Sequence, residues 1–231
     1  MVSRVMPPHP AWLLRTLTGR AGALHARGID WSVRSTTVLQ VDAPAVVLGS
    51  TQPASHVRAD VDIEVVRRRS GGGAVLVEPG RLVWVAVVVP AGDPLWQLDV
   101  GRASWWLGEV GAEALAALGG ATGTAVVHRG GLVTSPWSAL VCFAGLGPGE
   151  VTVAGRKAVG LAQRRTRSGA LFQCALPLAW DPAGTAALLD LDPDGRAAAT
   201  AELRERVHFL DGVTPGAVVE ALLAALEHKT R

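Results

Sequence analysis

Arg67-Arg68-Arg69-Ser70-Gly71-Gly72-Gly73-Ala74-Val75-Leu76-Val77-Glu78-Pro79-Gly80-Arg81-Leu82-Val83 is the stretch on which the fold of this 231-residue chain turns. A cationic run leads through three consecutive glycines into an apolar segment, and a Glu-Pro-Gly-Arg turn separates that segment from a second one over residues 82–89. Two apolar runs either side of a Pro-Gly turn predict a β-hairpin that the glycines open. In a dinucleotide fingerprint or a phosphate loop the glycines instead lead a strand into a helix, so both nucleotide folds are excluded. Three glycines let the backbone approach a ligand closely and offer amide donors to an anion or a carbonyl, although a plain surface hairpin would use such a run too.

Outward from this hairpin the chain alternates short apolar runs with helical periodicity. Strands are expected over 33–41, 45–48, 63–66, 74–77 and 82–89, then over 125–127, 138–143, 150–153 and 170–176. A helix is predicted from Trp12 to near Gly28, on the spacing of Trp12, Leu13, Leu14, Leu17 and Leu24 behind a start rich in proline (Pro7, Pro8, Pro10). A longer amphipathic helix within 96–118 closes at Gly119-Gly120, and the C-terminal part reads as helix over 183–189, 199–206 and 215–226. Hairpin strands with interspersed helices predict an α+β fold with a mixed, mostly antiparallel sheet, in one domain over 1–231. Its motif-bearing core spans about 40–178 and its helical C-terminal part about 182–228.

Composition narrows the function. Hydrophobic residues make up 49% of the chain and the formal net charge is +2, so a sizeable core forms and no global field draws in nucleic acid or membrane. No apolar run is long enough for a spanning helix and no secretory segment opens the chain, which points to the cytoplasm. Two cysteines, Cys142 and Cys174, make neither a disulfide framework nor a zinc pattern, and the six histidines lack metal spacing. Only two of the 22 basic residues are lysine, Lys157 and Lys229. A lysine in a Gly155-Arg156-Lys157 turn therefore stands where a compact ammonium is needed and a guanidinium would not serve.

The run from Arg67 to Val75 matches the pattern R-R-x-S-G-G-G-A-V, and Gly155-Arg156-Lys157 with Gly160, Ala162 and Gln163 matches G-x-K-x-x-G-x-A-Q. In order and spacing the pair resembles the lipoate protein ligases, within the superfamily that also holds biotin ligases and octanoyltransferases. Residues 44–52 (P-A-V-V-L-G-S-T-Q) and Cys142-Phe143 add to the resemblance. It implies a biotin/lipoate ligase-like catalytic domain of the same α+β class, and attachment of a lipoyl or octanoyl group to a lysine of a carrier domain through an acyl-adenylate. ATP and Mg2+ would serve such a ligase. The implied partners are lipoate or octanoate and the lipoyl carrier domains of 2-oxoacid dehydrogenase complexes or the glycine-cleavage carrier protein.

The same resemblance assigns Lys157 to the acyl carbonyl and phosphate, and Arg67, Arg68, Ser70, Gly71, Gly72, Gly73, Ala74, Gly160, Ala162 and Gln163 to the substrate or adenylate. Two other readings go with it. An ATP-independent octanoyltransferase would take its acyl group from acyl carrier protein and use Cys142 as thioester nucleophile, with no cofactor; a buried, structural cysteine in an apolar strand is the plainer reading of that residue. A non-catalytic acyl-binding paralogue, or one subunit of a split ligase, is the third. Residues 76–81 depart from the family, which has His-Asp and then Asn where this chain has Val77-Glu78 and Arg81. The N-M-A-x-D-E helix signature and room for an accessory C-terminal domain are also missing. The loop form R-R-x-S-G-G-G disfavours biotin.

Overall fold

The computed structural model describes residues 12–119 and 123–230, so the proline-rich start, His9 and Gly120 lie outside the described residues. Seven strands form the larger sheet, in the order β1 (Leu13–Gly19), β2 (Ser35–Val41), β6 (Leu82–Pro90), β10 (Gly169–Pro177), β9 (Arg156–Thr166), β8 (Val151–Val153) and β7 (Ala125–Val127). β1 and β2 are parallel, and every other pair is antiparallel. A smaller sheet carries β3 (Ala45–Leu48) between β4 (Glu64–Arg67), parallel to it, and β5 (Val75–Val77), antiparallel to it. The expected α+β class with a mixed, mostly antiparallel sheet is the observed one.

The large sheet is covered on both faces, which is why β6 is almost continuously apolar. Its alternation is strict underneath. Val83, Val85, Val87 and Val89 pack with Phe172 and Cys174 against α2 (Trp105–Ala117) and α5 (Pro215–Lys229). Trp84, Ala86 and Val88 turn to the other face, towards α1 (Ala21–Ala26) and the small sheet. Three helices start at side-chain caps written into the sequence: Asp181 before α3 (Pro182–Ala187), Asp192 before α4 (Pro193–Arg206) and Thr214 before α5 each accept an amide of the first turn ahead of a proline at the first helical position.

Four expectations are corrected. The helix predicted from Trp12 to near Gly28 is β1 followed by the six-residue α1, because the threonine-rich segment Arg15-Thr16-Leu17-Thr18 pairs along β2 and Trp12 stacks on Trp106. The Glu78-Pro79-Gly80-Arg81 turn forms, with Gly80 at φ +72° and Arg81 paired to Glu78, yet it closes no hairpin. β6 is already paired on both edges, by β2 and β10, so β5 joins β3 and the turn hands the chain from one sheet to the other. Residues 138–143 form turns and a 3-10 segment (Cys142–Ala144) touching the sheet at one bridge, Ala74 with Val141, in place of a strand. Lys157 sits in the first residues of the eleven-residue β9, where a turn was expected.

Candidate active site

The two sheets enclose an apolar slot. On the large sheet, Trp84, Ala175 and Gly160 stand side by side in register on three neighbouring strands. Val47, Val75 and Val77 of the small sheet cover them, and the slot with its mouth holds about 460 Å³ of empty space. The row from Trp84 to Gly160 crosses two inter-strand spacings, about 9–10 Å. One end carries Cys142 and Phe143 beside Gly160, and the other carries His25 of α1 lying on the Trp84 indole at 4.6 Å between ring centroids. Burial, and then the charges of Arg68, Arg27 and Arg69, pull the His25 pKa down to about 4, so its imidazole is neutral at pH 7 in electropositive surroundings.

The glycine loop borders the slot, and its shape is set by arginines. Arg68 is buried and donates to the carbonyls of Gly71 (2.7 Å), Gly73 (2.9 Å) and Val47 (3.2 Å). Arg67 gathers the carbonyls of Gly49 and Gln52 at 2.8 and 2.6 Å. A trans peptide points its N–H opposite to its C=O, so the Gly72 amide faces away from Arg68. Among the described residues no acceptor takes the N–H of Gly71, Gly72 or Gly73. The glycines are there for different reasons. Gly72 has φ +99°, Gly73 has no room for a Cβ, which would lie 2.7 Å from the Val141 carbonyl carbon, and Gly71 is open. Ser70 is tied to β10 through its hydroxyl and Gln173, and the Ala74 amide binds Leu140 O.

Lys157 is buried and its ammonium is fully used. It pairs with Glu150 at 2.7 Å and donates to the carbonyls of Cys142 (2.9 Å) and Gly145 (3.0 Å), with the Phe143 ring 5.0 Å away. Glu150 is equally buried and accepts the amides of Gly147 and Leu161 at 2.7 and 2.9 Å. Three donors meet three acceptors, so the pair satisfies the condition under which a buried charge is tolerated. Gly160 makes the space for it: a Cβ there would stand 3.2 Å from the Phe143 ring and 3.4 Å from Lys157 Cε. Residues 157 and 160 are therefore read together, with a bulge in the β8–β9 ladder at this point. Cys142 and Phe143 line the slot, and Lys157 lies against the backbone of their turn.

Of the residues singled out in the sequence, the structure gathers Arg67, Arg68, Ser70, Gly71, Gly72, Gly73, Ala74, Cys142, Lys157, Gly160 and Ala162 around one end of the slot or along its wall. Gln163 stands apart. It pairs with Phe172 on the helix-facing side of β9–β10 and donates to Val100 O, since in a strand neighbours of Ala162 point the other way. Arg165 packs over Trp96 at 4.2 Å, and His128 bonds Gly131 O within its own loop. Cys174 is buried, and burial followed by the Glu150 charge pushes its thiol up to about 12. Sequence reasoning missed Glu150 and His25. Glu150 carried a signal, being a lone carboxylate seven residues before a lysine on a two-strand turn; His25 carried none, because its neighbour Trp84 is 59 positions away.

Two sheets enclosing an apolar slot, with a glycine loop and a buried lysine at one end, define the α+β catalytic fold of the biotin/lipoate ligase type. The chain belongs to the Lipoyl protein ligase A/B catalytic domain family, whose model matches residues 23–229. A similar solved structure, with TM-score 0.75 at 19% identity over 96% of this chain and 84% of that one, comes from an archaeal lipoylation system, a bi-partite lipoate protein ligase and its E2 lipoyl domain from Thermoplasma acidophilum. The Ta0514 protein of T. acidophilum with bound lipoic acid gives 0.70 at 19% identity, over 96% and 86% of the two chains. A lipoate-protein ligase A bound with ATP gives 0.68 at 18% identity, over 96% and 85%. No curated protein sequence matches the chain. Among the described residues no helix is long and apolar enough to cross a membrane.

Proposed function

We propose that this protein places a lipoyl or octanoyl group on a carrier-domain lysine, activating the acid as an acyl-adenylate. The observation that carries the reading is the junction of the slot with the loop. An apolar slot whose end is lined by Cys142, Phe143 and Gly160 adjoins a glycine loop whose three amides have no acceptor among the described residues, where a carbonyl or phosphate oxygen would find free donors. In this reading the slot walls orient the chain, the Gly71 to Gly73 amides hold the oxygen on which charge develops, and the Lys157–Glu150 pair fixes the turn bearing Cys142. Lys157 then helps as a buried positive charge behind the turn, or directly once a ligand oxygen replaces one of its backbone carbonyls.

ATP is a substrate here, and it supplies the energy that turns a carboxylate into an acyl donor. The residues fit its phosphates, since the Gly71, Gly72 and Gly73 amides have no acceptor among the described residues and Gly71 lies in open space. No group of three or more metal-ligating side chains occurs among the described residues, so a Mg2+ ion would be held mainly by the phosphates themselves. The T. acidophilum ligase studied with its E2 lipoyl domain supports the acceptor class, a lipoyl domain.

A second reading rests on Cys142. Its side chain lines the slot, and its sulfur lies 3.8 Å from where a Cβ on Gly72 would be, so a thiol and the free amides face one ligand position. A thioester there would hold the acyl group for direct transfer from acyl carrier protein, with no nucleotide. Pyrophosphate exchange into ATP, stimulated by lipoate or octanoate and lost in Lys157→Ala, is the outcome for the ligase. Octanoyl transfer from acyl carrier protein without ATP, lost in Cys142→Ser, is the outcome for the transferase. Neither activity on any lipoyl domain would leave the non-catalytic acyl-binding protein or one subunit of a split ligase.

A further inference from the structure

The loop that follows β7, residues 128–138, plays no part in the proposed function, yet it is built onto the Cys142 end of the slot. Val133 and Leu146 exchange backbone hydrogen bonds at 2.8 and 2.9 Å, and a Cβ on the neighbouring Gly145 would stand 3.3 Å from the Val133 carbonyl oxygen. Gly145 is one of the residues whose carbonyl takes the Lys157 ammonium. The loop is also braced from within. His128 Nε2 bonds Gly131 O at 2.7 Å, and the Ser138 hydroxyl accepts the Ser135 amide and donates to the Ser135 carbonyl. On this frame Leu132 and Val133 stand 71% and 46% exposed. β7 adds a third apolar residue. Ala125 and Val127 pack into the helix-face core, so Val126 between them points to the slot-side face, 55% exposed. Its register partners on β8 and β9 are Thr152 and Lys157, which puts Val126 two inter-strand spacings, about 9–10 Å, from the lysine.

A single exposed leucine needs no explanation, whereas apolar side chains held out by an ordered frame beside a reactive site form a contact surface that is already organised for a partner. The proposed reaction requires such a partner. Its acyl acceptor is the lysine of a folded domain, which brings its own surface to the site along with the lysine. Arg129 in the loop and Arg156 next to Lys157 are already paired, with Glu109 and Glu205, so the apolar contact and not a free charge defines what docks. We propose that Val126, Leu132 and Val133 are the docking surface for the carrier domain that bears the acceptor lysine. The inference rests on the acyl-transfer reading above and adds where the acceptor sits, on the Lys157 side of the slot.

Two measurements on the full chain test it. Titration into an isotope-labelled, unmodified lipoyl domain, followed by NMR, reads docking, and hydroxamate formation from octanoate, ATP, Mg2+ and hydroxylamine reads activation without a carrier. The double variant Leu132→Ser/Val133→Ser, at two exposed positions, is expected to weaken lipoyl-domain binding about tenfold and to keep hydroxamate formation within about twofold of the wild type. Val126→Thr, which keeps a β-branched residue in β7, should weaken binding in the same sense. Leu98→Ser removes a leucine that is more exposed still, at 86%, on a different loop, and should change neither reading. No binding by the wild type, unchanged binding in the double variant, or equal weakening by Leu98→Ser would overturn the docking surface and leave the acyl slot intact. So would a wild-type dimer in light scattering that the double variant dissociates, since a second copy would then cover the patch. Patch-dependent binding with no hydroxamate from the wild type would sustain the docking surface and remove the adenylate step instead.

Discussion

At the scale of single residues, the site is a set of buried polar groups whose partners are counted. Lys157 and Glu150 stand 2.7 Å apart with about 4% of each side chain exposed, so removing one leaves the other charged and unpaired in the interior. Glu150→Ala is therefore expected to destabilise the fold by about 3–5 kcal/mol in urea unfolding, and a change below about 1 kcal/mol would show that the pair is better solvated than its geometry indicates. His25 titrates in the opposite sense to a surface histidine. Its folded pKa, about 4, lies below the unfolded 6.5, so its contribution is complete above pH 6.5 and is lost as pH falls towards 4, on the order of 3 kcal/mol at most. In His25→Leu the fall in stability between pH 6.5 and 4 should be correspondingly shallower. The two thiols should separate in a native thiol titration, Cys142 reacting and Cys174 silent until unfolding, because Cys142 is partly exposed whereas Cys174 is buried and burial pushes its thiol up to about 12. Sequence alone marked Lys157 by the scarcity of lysine and held a weaker signal for its counter-ion Glu150, but could not mark His25, whose significance depends on strands brought together by the fold.

At the scale of elements, the glycine loop and its flanks show where local reading works and where it stops. The Pro-Gly turn and the apolar runs of β3 and β6 were legible, since each depends on residues within a few positions of one another, whereas α4 was expected only from 199 although Asp192 caps it ahead of Pro193. The destination of β5 was not, because pairing is decided by which sheet edge is vacant, and β2 and β10 occupy both edges of β6. The 138–143 segment was apolar enough for a strand, yet its role is to wedge under the glycine loop, with Ala74 N bonded to Leu140 O and Cys142 N bonded to Ala74 O. Gly73 sits in that wedge. Gly73→Ala puts a methyl against the Val141–Cys142 backbone, which cannot yield as a flexible side chain could, so it should lower thermal stability and abolish acid binding together. Gly71→Ala, at an open position, should spare stability, and the contrast between the two variants in melting and titration checks the assignment.

At the scale of the molecule, the seven-stranded sheet separates structural work from chemistry. Its helix face carries the larger core, with α2 and α5 on the odd-numbered valines of β6, and its other face carries the slot under the small sheet. The motif pair made the fold class readable, because the glycine loop and the G-R-K segment, far apart in sequence, meet at one end of the slot around the Cys142 turn. Gln163 shows the limit of a linear motif: it belongs to the pattern, and its strand position turns it to the other face of the sheet. The central claim is that slot, loop and lysine together deliver an acyl group to a carrier lysine. Intact-mass analysis of a purified lipoyl domain, incubated with the protein, ATP, Mg2+ and lipoate or octanoate, tests this most directly. The account predicts a mass gain of one acyl group on a single lysine, lost in Gly73→Ala; an unmodified domain with both acids, and with octanoyl-acyl carrier protein as donor, would contradict it.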